Sequence, residues 1–315
     1  MTEPQGEVFD LGYRSYEGPR EGRMRPRIAI WTNGVRTALG IGRGWGPKVL
    51  PAFLFLAVIV PAVITAVAAS LIGLEGDLLD HDDYYQSISI ILVLFSAIIA
   101  PELLCPDRRD GVISLYLVRP LTTTDYLAGR WLAFFSVTLT LVLLGQAVLF
   151  IGFVLSAEQP FDYMQDNWRD VPRFLLAGLV LATFTTTIPL AVSGFTVRRA
   201  YAASFVIGLF ILSFAVAGIL SLCEEEQPPG READDAVVSE PCDPATGDAA
   251  KWFALIAIGE VPSHVNDMIF SGENVSSDFA VLVDELPDAV PVAWYLVLIT
   301  GPAIALWWRC RRLEQ

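Results

Sequence analysis

The sequence predicts an all-α, polytopic membrane protein with six transmembrane helices, and three observations predict it. Hydrophobic residues fill 54% of the 315 positions and charged residues only 18%, against a charged share of about 25% in soluble domains; mean hydropathy is +0.51. The apolar residues gather into six runs, at about 50–74, 87–104, 131–155, 174–195, 201–222 and 290–308, each near the roughly 20 helical residues that cross a bilayer core of about 30 Å. None alternates in polarity as barrel strands do, so each run satisfies its backbone internally as a helix. The third observation is a charge asymmetry between the loops.

With both termini in the cytoplasm, 17 of the 21 Lys and Arg residues fall on the inner side, as the positive-inside rule requires. Only Arg169, Arg173, Arg231 and Lys251 are left outside, together with 25 of the 35 acidic residues. The net charge of −14 therefore belongs to the outer loops, and the basic inner face suits contact with anionic lipid. The expected location is the plasma membrane, multi-pass, with both ends cytoplasmic. Acidic residues outnumber basic ones, so nucleic-acid binding is not expected.

Taken in order, residues 1–27 are polar and aperiodic and read as a flexible cytoplasmic tail. Residues 28–48 read as an interfacial helix and a bend. Ile28, Trp31, Val35, Leu39 and Gly42 step by three or four residues over 28–45, while Arg36 and Arg43 lie on another face, the pattern of a helix in the headgroup plane. Gly34, Gly40, Gly42 and Gly44 weaken it, each by about 1 kcal/mol relative to Ala. The Gly-rich run ending at Lys48 is followed by Val49 and is not a phosphate-binding loop. Residues 49–315 form the six-span domain, with Pro61, Pro101, Pro189 and Pro302 expected to kink their helices. The acidic run Asp80, His81, Asp82, Asp83 has no partner spacing, and no metal is expected.

The long extracellular loop, 223–289, has two parts. Up to Gly247 its composition is that of a disordered segment. Beyond it, two apolar stretches too short to span predict short extracellular helices between spans five and six. Cys223 and Cys242 lie in this loop; a disulfide between them would stabilise by about 3 kcal/mol through loop closure, and two free thiols are the alternative. Cys105 and Cys310 fall at the cytoplasmic boundary, where thiols stay reduced. Trp131, Trp252, Trp294, Trp307 and Trp308 sit near span ends, as in aromatic belts.

No catalytic constellation is visible, so no enzyme activity and no cofactor in this chain are expected. The two histidines, His81 and His264, both read as outer-loop residues. No span centre carries an ionisable residue, which argues against proton-coupled transport. Thr138 and Gln146 in the third span, and Thr183 and Thr186 in the fourth, either bond between helices at about 0.6 kcal/mol each or line a substrate path.

Energy for transport would then come from outside the chain, which directs attention to the cytoplasmic loop 105–130. Thr122 and Asp125 have the spacing of a capping box that opens a helix through Tyr126 and Leu127 into the third span. Pro120 stops the segment before it. Between them and the second span lies an apolar run, 111–118, flanked by Asp107, Arg108, Arg109 and Asp110 on one side and Arg119 on the other. It reads either as a peg for a cytoplasmic partner's groove or as a membrane-surface helix.

The residues Glu102, Arg109 (or Arg108), Gly111, Leu115, Pro120, Tyr126, Leu127 and Gly129, with Arg130 where a Lys is usual, resemble the first cytoplasmic loop of type-2 ATP-binding-cassette (ABC) exporter permeases. The N-terminal YRSYEGPREGR is similar to that of the high-GC Gram-positive bacterial type. The acidic insert 224–247 departs from the family layout. The resemblance implies a permease subunit of an ATP-driven exporter with an unidentified substrate. Two six-span subunits would pair, as a homodimer or heterodimer, and separate ABC ATPase subunits holding ATP and Mg would dock on the cytoplasmic face. It further implies ATPase coupling through Glu102, Asp107, Arg108, Arg109, Asp110, Gly111, Leu115, Tyr116, Arg119 and Pro120, with 107–119 as the coupling helix. A non-transporting scaffold or sensor with an acidic extracellular loop is the alternative.

Overall fold

The computed structural model describes residues 22, 24–42, 44–72, 81–112, 121–157, 159–221, 247–270 and 278–312, and among them there is no strand. The helices are α1 (Met24–Ala38), α2 (Gly46–Ile72), α3 (His81–Arg109), α4 (Thr123–Ser156), α5 (Pro160–Asp166), α6 (Asp170–Ser193), α7 (Arg199–Ser221), α8 (Ala250–Ala254, entered by a short 3₁₀ turn), α9 (Val261–Phe270), α10 (Asp278–Asp284) and α11 (Ala289–Arg311). Among the described residues α2, α3, α4, α6, α7 and α11 are long and apolar enough to cross a membrane. The protein is an all-α polytopic membrane protein.

Both boundaries of α1 and both of α3 differ from the sequence reading. α1 starts at Met24, inside the segment read as a tail, and ends at Ala38 instead of near residue 45. Its start is permitted because Pro26 stands in the first turn, where the missing N–H has no intrahelical partner to lose. Its end is a Schellman motif: Gly40 has φ +67°, its N–H donates to Thr37 O at 3.1 Å, and Ile41 N–H donates to Arg36 O at 2.8 Å. α3 runs from His81 to Arg109, beyond the expected 87–104 at both ends. Hydropathy falls after Leu104, but the backbone ladder continues until Gly111 (φ +66°) turns the chain, with Asp110 N–H donating to Pro106 O at 2.9 Å. Asp107, Arg108 and Arg109 thus finish α3 and do not begin a separate segment.

α4 begins where the capping box places it. Asp125 N–H donates to Thr122 Oγ1 at 3.3 Å and Thr122 N–H donates to Asp125 Oδ2 at 3.1 Å, satisfying two of the orphan donors at the helix start. From there α4 continues for 34 residues without an internal proline.

α3, α4 and α6 form the centre of the bundle and α2, α7 and α11 its periphery: 67% of the apolar stretch of α3 and of α6 is buried, against 28%, 22% and 17% for the outer three. Lipid offers no hydrophobic drive between helices, so close contact and hydrogen bonds hold them. The Tyr84, Tyr85 and Tyr295 hydroxyls donate to the carbonyls of Val58 (3.2 Å), Phe174 (2.7 Å) and Val180 (2.9 Å) on neighbouring helices. Where α1 crosses α4, a Cβ on Gly129 would meet Ile30 Cγ2 at 2.8 Å, so glycine sets the distance between them. At the end of the bundle opposite Arg108 and Arg109, the apolar stretches of the last loop form α8, α9 and α10, with α9 packed on α3, α6 and α11.

Candidate functional site

The described charged residues of the 105–130 region converge at one end of the bundle, here called the basic end. The last turns of α3 stand between α4 and the α6–α7 connection. Asp107 Oδ2 accepts from Arg130 Nη2 at 2.5 Å and from the Tyr126 hydroxyl at 2.7 Å. The Arg130 side chain is 3% exposed and that of Asp107 15%. A guanidinium so deeply placed is tolerable only when paired, and Asp107 is its partner. Arg130 also lies 5.7 Å from the Tyr126 ring centroid, a cation–π distance.

Other contacts extend this bracing. Glu102 of α3 pairs with Arg199 of α7, Arg108 donates to the Gly194 carbonyl, and the Cys105 thiol donates to Thr196 O at 3.5 Å. Asp125 caps α4 and also takes Arg27 of α1 at 2.7 Å. Trp131 Nε1 donates to Thr187 Oγ1 at 3.0 Å and Trp307 Nε1 to Thr124 Oγ1 at 3.1 Å. These indoles therefore join α4 to α6 and α11, beyond the anchoring expected of aromatic belts. In contrast, Arg109 and Asp110 pair with each other at 2.9 Å, with 62% and 51% of their side chains exposed. The hydrogen bond from Arg109 holds the Asp110 carboxyl below the usual carboxylate range. The end of α3 thus has a solvent-facing tip and a root fixed to three neighbours.

Of the remaining coupling residues, Gly111 is the turn already described, while Leu115, Tyr116, Arg119 and Pro120 lie outside the described residues, as do Cys223 and Cys242. Cys105 and Cys310 are free and buried. Thr138 is fully buried and donates to Phe134 O on its own helix at 3.1 Å. Gln146 Nε2 donates to His81 Nδ1 at 2.6 Å, and its Oε1 is buried without a partner. Thr183 O accepts from the Thr187 hydroxyl at 2.7 Å. Thr186 is fully buried with no partner for its hydroxyl.

Two polar features escaped the sequence reading. His81 is the first residue of α3, not a loop residue, and its ring packs 4.3 Å from that of Phe174 and 5.3 Å from that of Phe153. At the end opposite the basic one, His264 and Asn266 on α9 are each 3% exposed. His264 Nε2, Asn266 Oδ1 and the adjacent Glu260 Oε2 are buried without hydrogen-bond partners. Burial drives the His264 pKa down to about 4 and pushes that of Glu260 up. No local signal marks these residues, because their burial comes from α3, α6 and α11, distant in sequence.

Among the described residues no group of His, Cys, Asp and Glu is arranged to hold a metal. The arrangement braces the basic ends of the helices against one another. The family described as ABC-2 family transporter protein matches residues 51–232, more than half of the chain, and the chain belongs to that family. It is a multi-pass permease subunit of an ABC transporter, not itself catalytic, and works with an ABC ATPase partner. Among curated proteins none matches the chain.

Proposed function

We propose that this subunit couples ATP hydrolysis in separate ATPase subunits to export of a substrate across the plasma membrane. ATP and Mg belong to those partners, both termini are cytoplasmic, and the ATPase docks on the basic end, around 102–120. One observation carries this reading: the tip at Arg109 and Asp110 is exposed, while its root at Glu102, Asp107 and Arg108 is fastened to α7, α4 and the α6–α7 connection. A push on the tip would reach three spans at once. Packed interfaces pass on such a displacement as a shift between discrete arrangements.

The exposed apolar faces of α2, α7 and α11 leave room for a second six-span subunit, with membrane lipid covering the rest. Thr138, Gln146, Thr183 and Thr186 are candidates for the substrate path, Gln146 and Thr186 because each keeps a buried polar atom without a partner. The N-terminal segment supports the high-GC Gram-positive type, with α1 at the membrane surface.

The test is co-purification with the ATPase, followed by ATPase assays of the reconstituted complex. Asp110→Lys reverses charge at an exposed position and leaves the root contacts intact. It is expected to weaken ATPase capture, or to uncouple substrate-stimulated hydrolysis, with the permease still folded. A permease that captures no ATPase, or an Asp110→Lys complex with unchanged coupled activity, would sink the proposal and favour a scaffold or sensor.

A further inference from the structure

A groove of about 740 Å³ lies between α1 and α4. Its α4 wall is Ala128, Leu132, Phe135 and Leu139, whose steps of four, three and four positions keep them on one helix face. Ile28 and Trp31 of α1 form the other wall. Ile28 and Leu132 remain half exposed, so the chain itself leaves this surface uncovered. The lining changes character along its length. At one end Arg27 and Asp125 pair at 2.7 Å, a closed pair that presents both signs of charge. At the other, the Ser136 and Thr140 hydroxyls donate to Ala133 O and Ser136 O of their own helix, at 2.9 Å and 2.7 Å. Neither hydroxyl needs a polar ligand.

From Asp125 to Thr140 the groove follows α4 for about 22 Å at 1.5 Å per residue. Positions 131–140 belong to the apolar run of the third span and cover about 15 Å, the depth of one leaflet of a hydrocarbon core about 30 Å thick. The occupant that matches is therefore long, apolar over most of its length and polar at one end. The segment before α1 does not match, because residues 1–21 include seven charged side chains and no apolar run. We propose that the groove holds one acyl chain of a phospholipid from the leaflet at the basic end, as a resident lipid distinct from the bulk bilayer. Its headgroup lies beside the Arg27–Asp125 pair. Because that pair is closed on itself, the site reads the chain and not the charge of the headgroup. The site stands apart from the coupling proposed above and needs no ATPase.

The test is native mass spectrometry of the purified full chain, titrated in mixed micelles with phosphatidylethanolamine or, separately, phosphatidylglycerol. One phospholipid per chain is expected to survive activation that strips the others, to the same extent for the two headgroups. That comparison needs no variant. Ala128→Phe and Ser136→Phe each place a ring in the groove, near its two ends. Displacing two or more methylenes of the chain is expected to weaken retention by about tenfold or more. Ala147→Phe adds a ring at an exposed position of the same helix outside the groove, and should retain lipid as the unaltered protein does. Circular dichroism verifies that each variant is folded. The proposal is overturned if no lipid outlasts the rest, or if phosphatidylglycerol alone is retained, which would make it a headgroup site. It is equally overturned if a folded groove variant keeps the lipid, or if Ala147→Phe loses it to the same degree. Dimers that persist with no lipid retained would assign the groove to a second copy of the chain instead.

Discussion

Replacing Asp107 by Ala should be among the most destabilising single changes at the basic end. Arg130 is 3% exposed on its side chain and meets Asp107 at 2.5 Å, and Tyr126 also donates its hydroxyl to the same carboxylate. Removing one partner of such a buried pair leaves an uncompensated charge, which costs about 3–5 kcal/mol. The exposed Arg109–Asp110 pair sets the contrast, because surface pairs contribute roughly 0–1 kcal/mol. Replacing both partners, Asp107→Ala with Arg130→Met, removes the buried charge as well as the bond and is expected to cost much less than the sum of the two single changes. A coupling energy of at least about 2 kcal/mol should result, within the range known for residues in one network. Unfolding by SDS in mixed micelles, followed by circular dichroism for the four proteins of the cycle, measures it. A cost below about 1 kcal/mol for Asp107→Ala, or single changes that simply add, would refute the claim that Arg130 depends on this carboxylate.

Further outcomes follow from other contacts. Gly129→Ala places a Cβ 2.8 Å from Ile30 Cγ2 and is expected to destabilise the α1–α4 crossing by about 1–3 kcal/mol; adding Ile30→Ala should return part of it in the same unfolding assay. Thr122→Ala removes the side-chain half of the capping box and should cost about 1 kcal/mol, with Thr122→Ser close to neutral. His264, with an ordinary pKa of 6.5 lowered to about 4, is neutral in the folded protein over a range where the unfolded chain binds a proton. Its burial is therefore fully tolerated above pH 6.5, and stability declines as pH falls toward about 4. Glu260, raised by burial, acts in the opposite sense: its contribution is present below its ordinary pKa of 4.5 and is lost as pH rises through the raised value. Thermal melts from pH 4 to 7.5 should therefore flatten on the acid side for His264→Phe; an unchanged acid limb would remove His264 from the account.

The fold was legible wherever the determining forces are local. Six apolar runs give six helices because a bilayer allows the backbone no other partner within a single segment, and the start of α4 was readable because Thr122 and Asp125 are three residues apart. The end of α3 was not, since hydropathy follows contact with lipid and not the hydrogen-bond ladder, which runs past Leu104 and through Pro106 to Arg109. The start of α1 was hidden by its first turn, where Arg25 and Arg27 flank Pro26. The charged residues of the candidate site were visible as a cluster, but their pairing was not. Asp107 and Arg130 stand 23 positions apart, Glu102 and Arg199 97, and His81 and Gln146 65. Only the packing of α3 against α4, α6 and α7 brings such partners together.

The uninterrupted length of α4 has a mechanical side. Its 34 residues make a rod of about 51 Å at 1.5 Å per residue, roughly 20 Å longer than the hydrocarbon layer is thick. Prolines interrupt α2, α3, α6 and α11, but α4 has none to absorb bending. A tilt of about 10° pivoting on its first turn, where Asp125 and Arg130 are held, would carry Ser156 through roughly 9 Å by simple leverage. Small angular adjustments at one membrane surface would thus arrive at the other as displacements comparable to the width of a side chain or more, with the helix acting as amplifier and not as hinge.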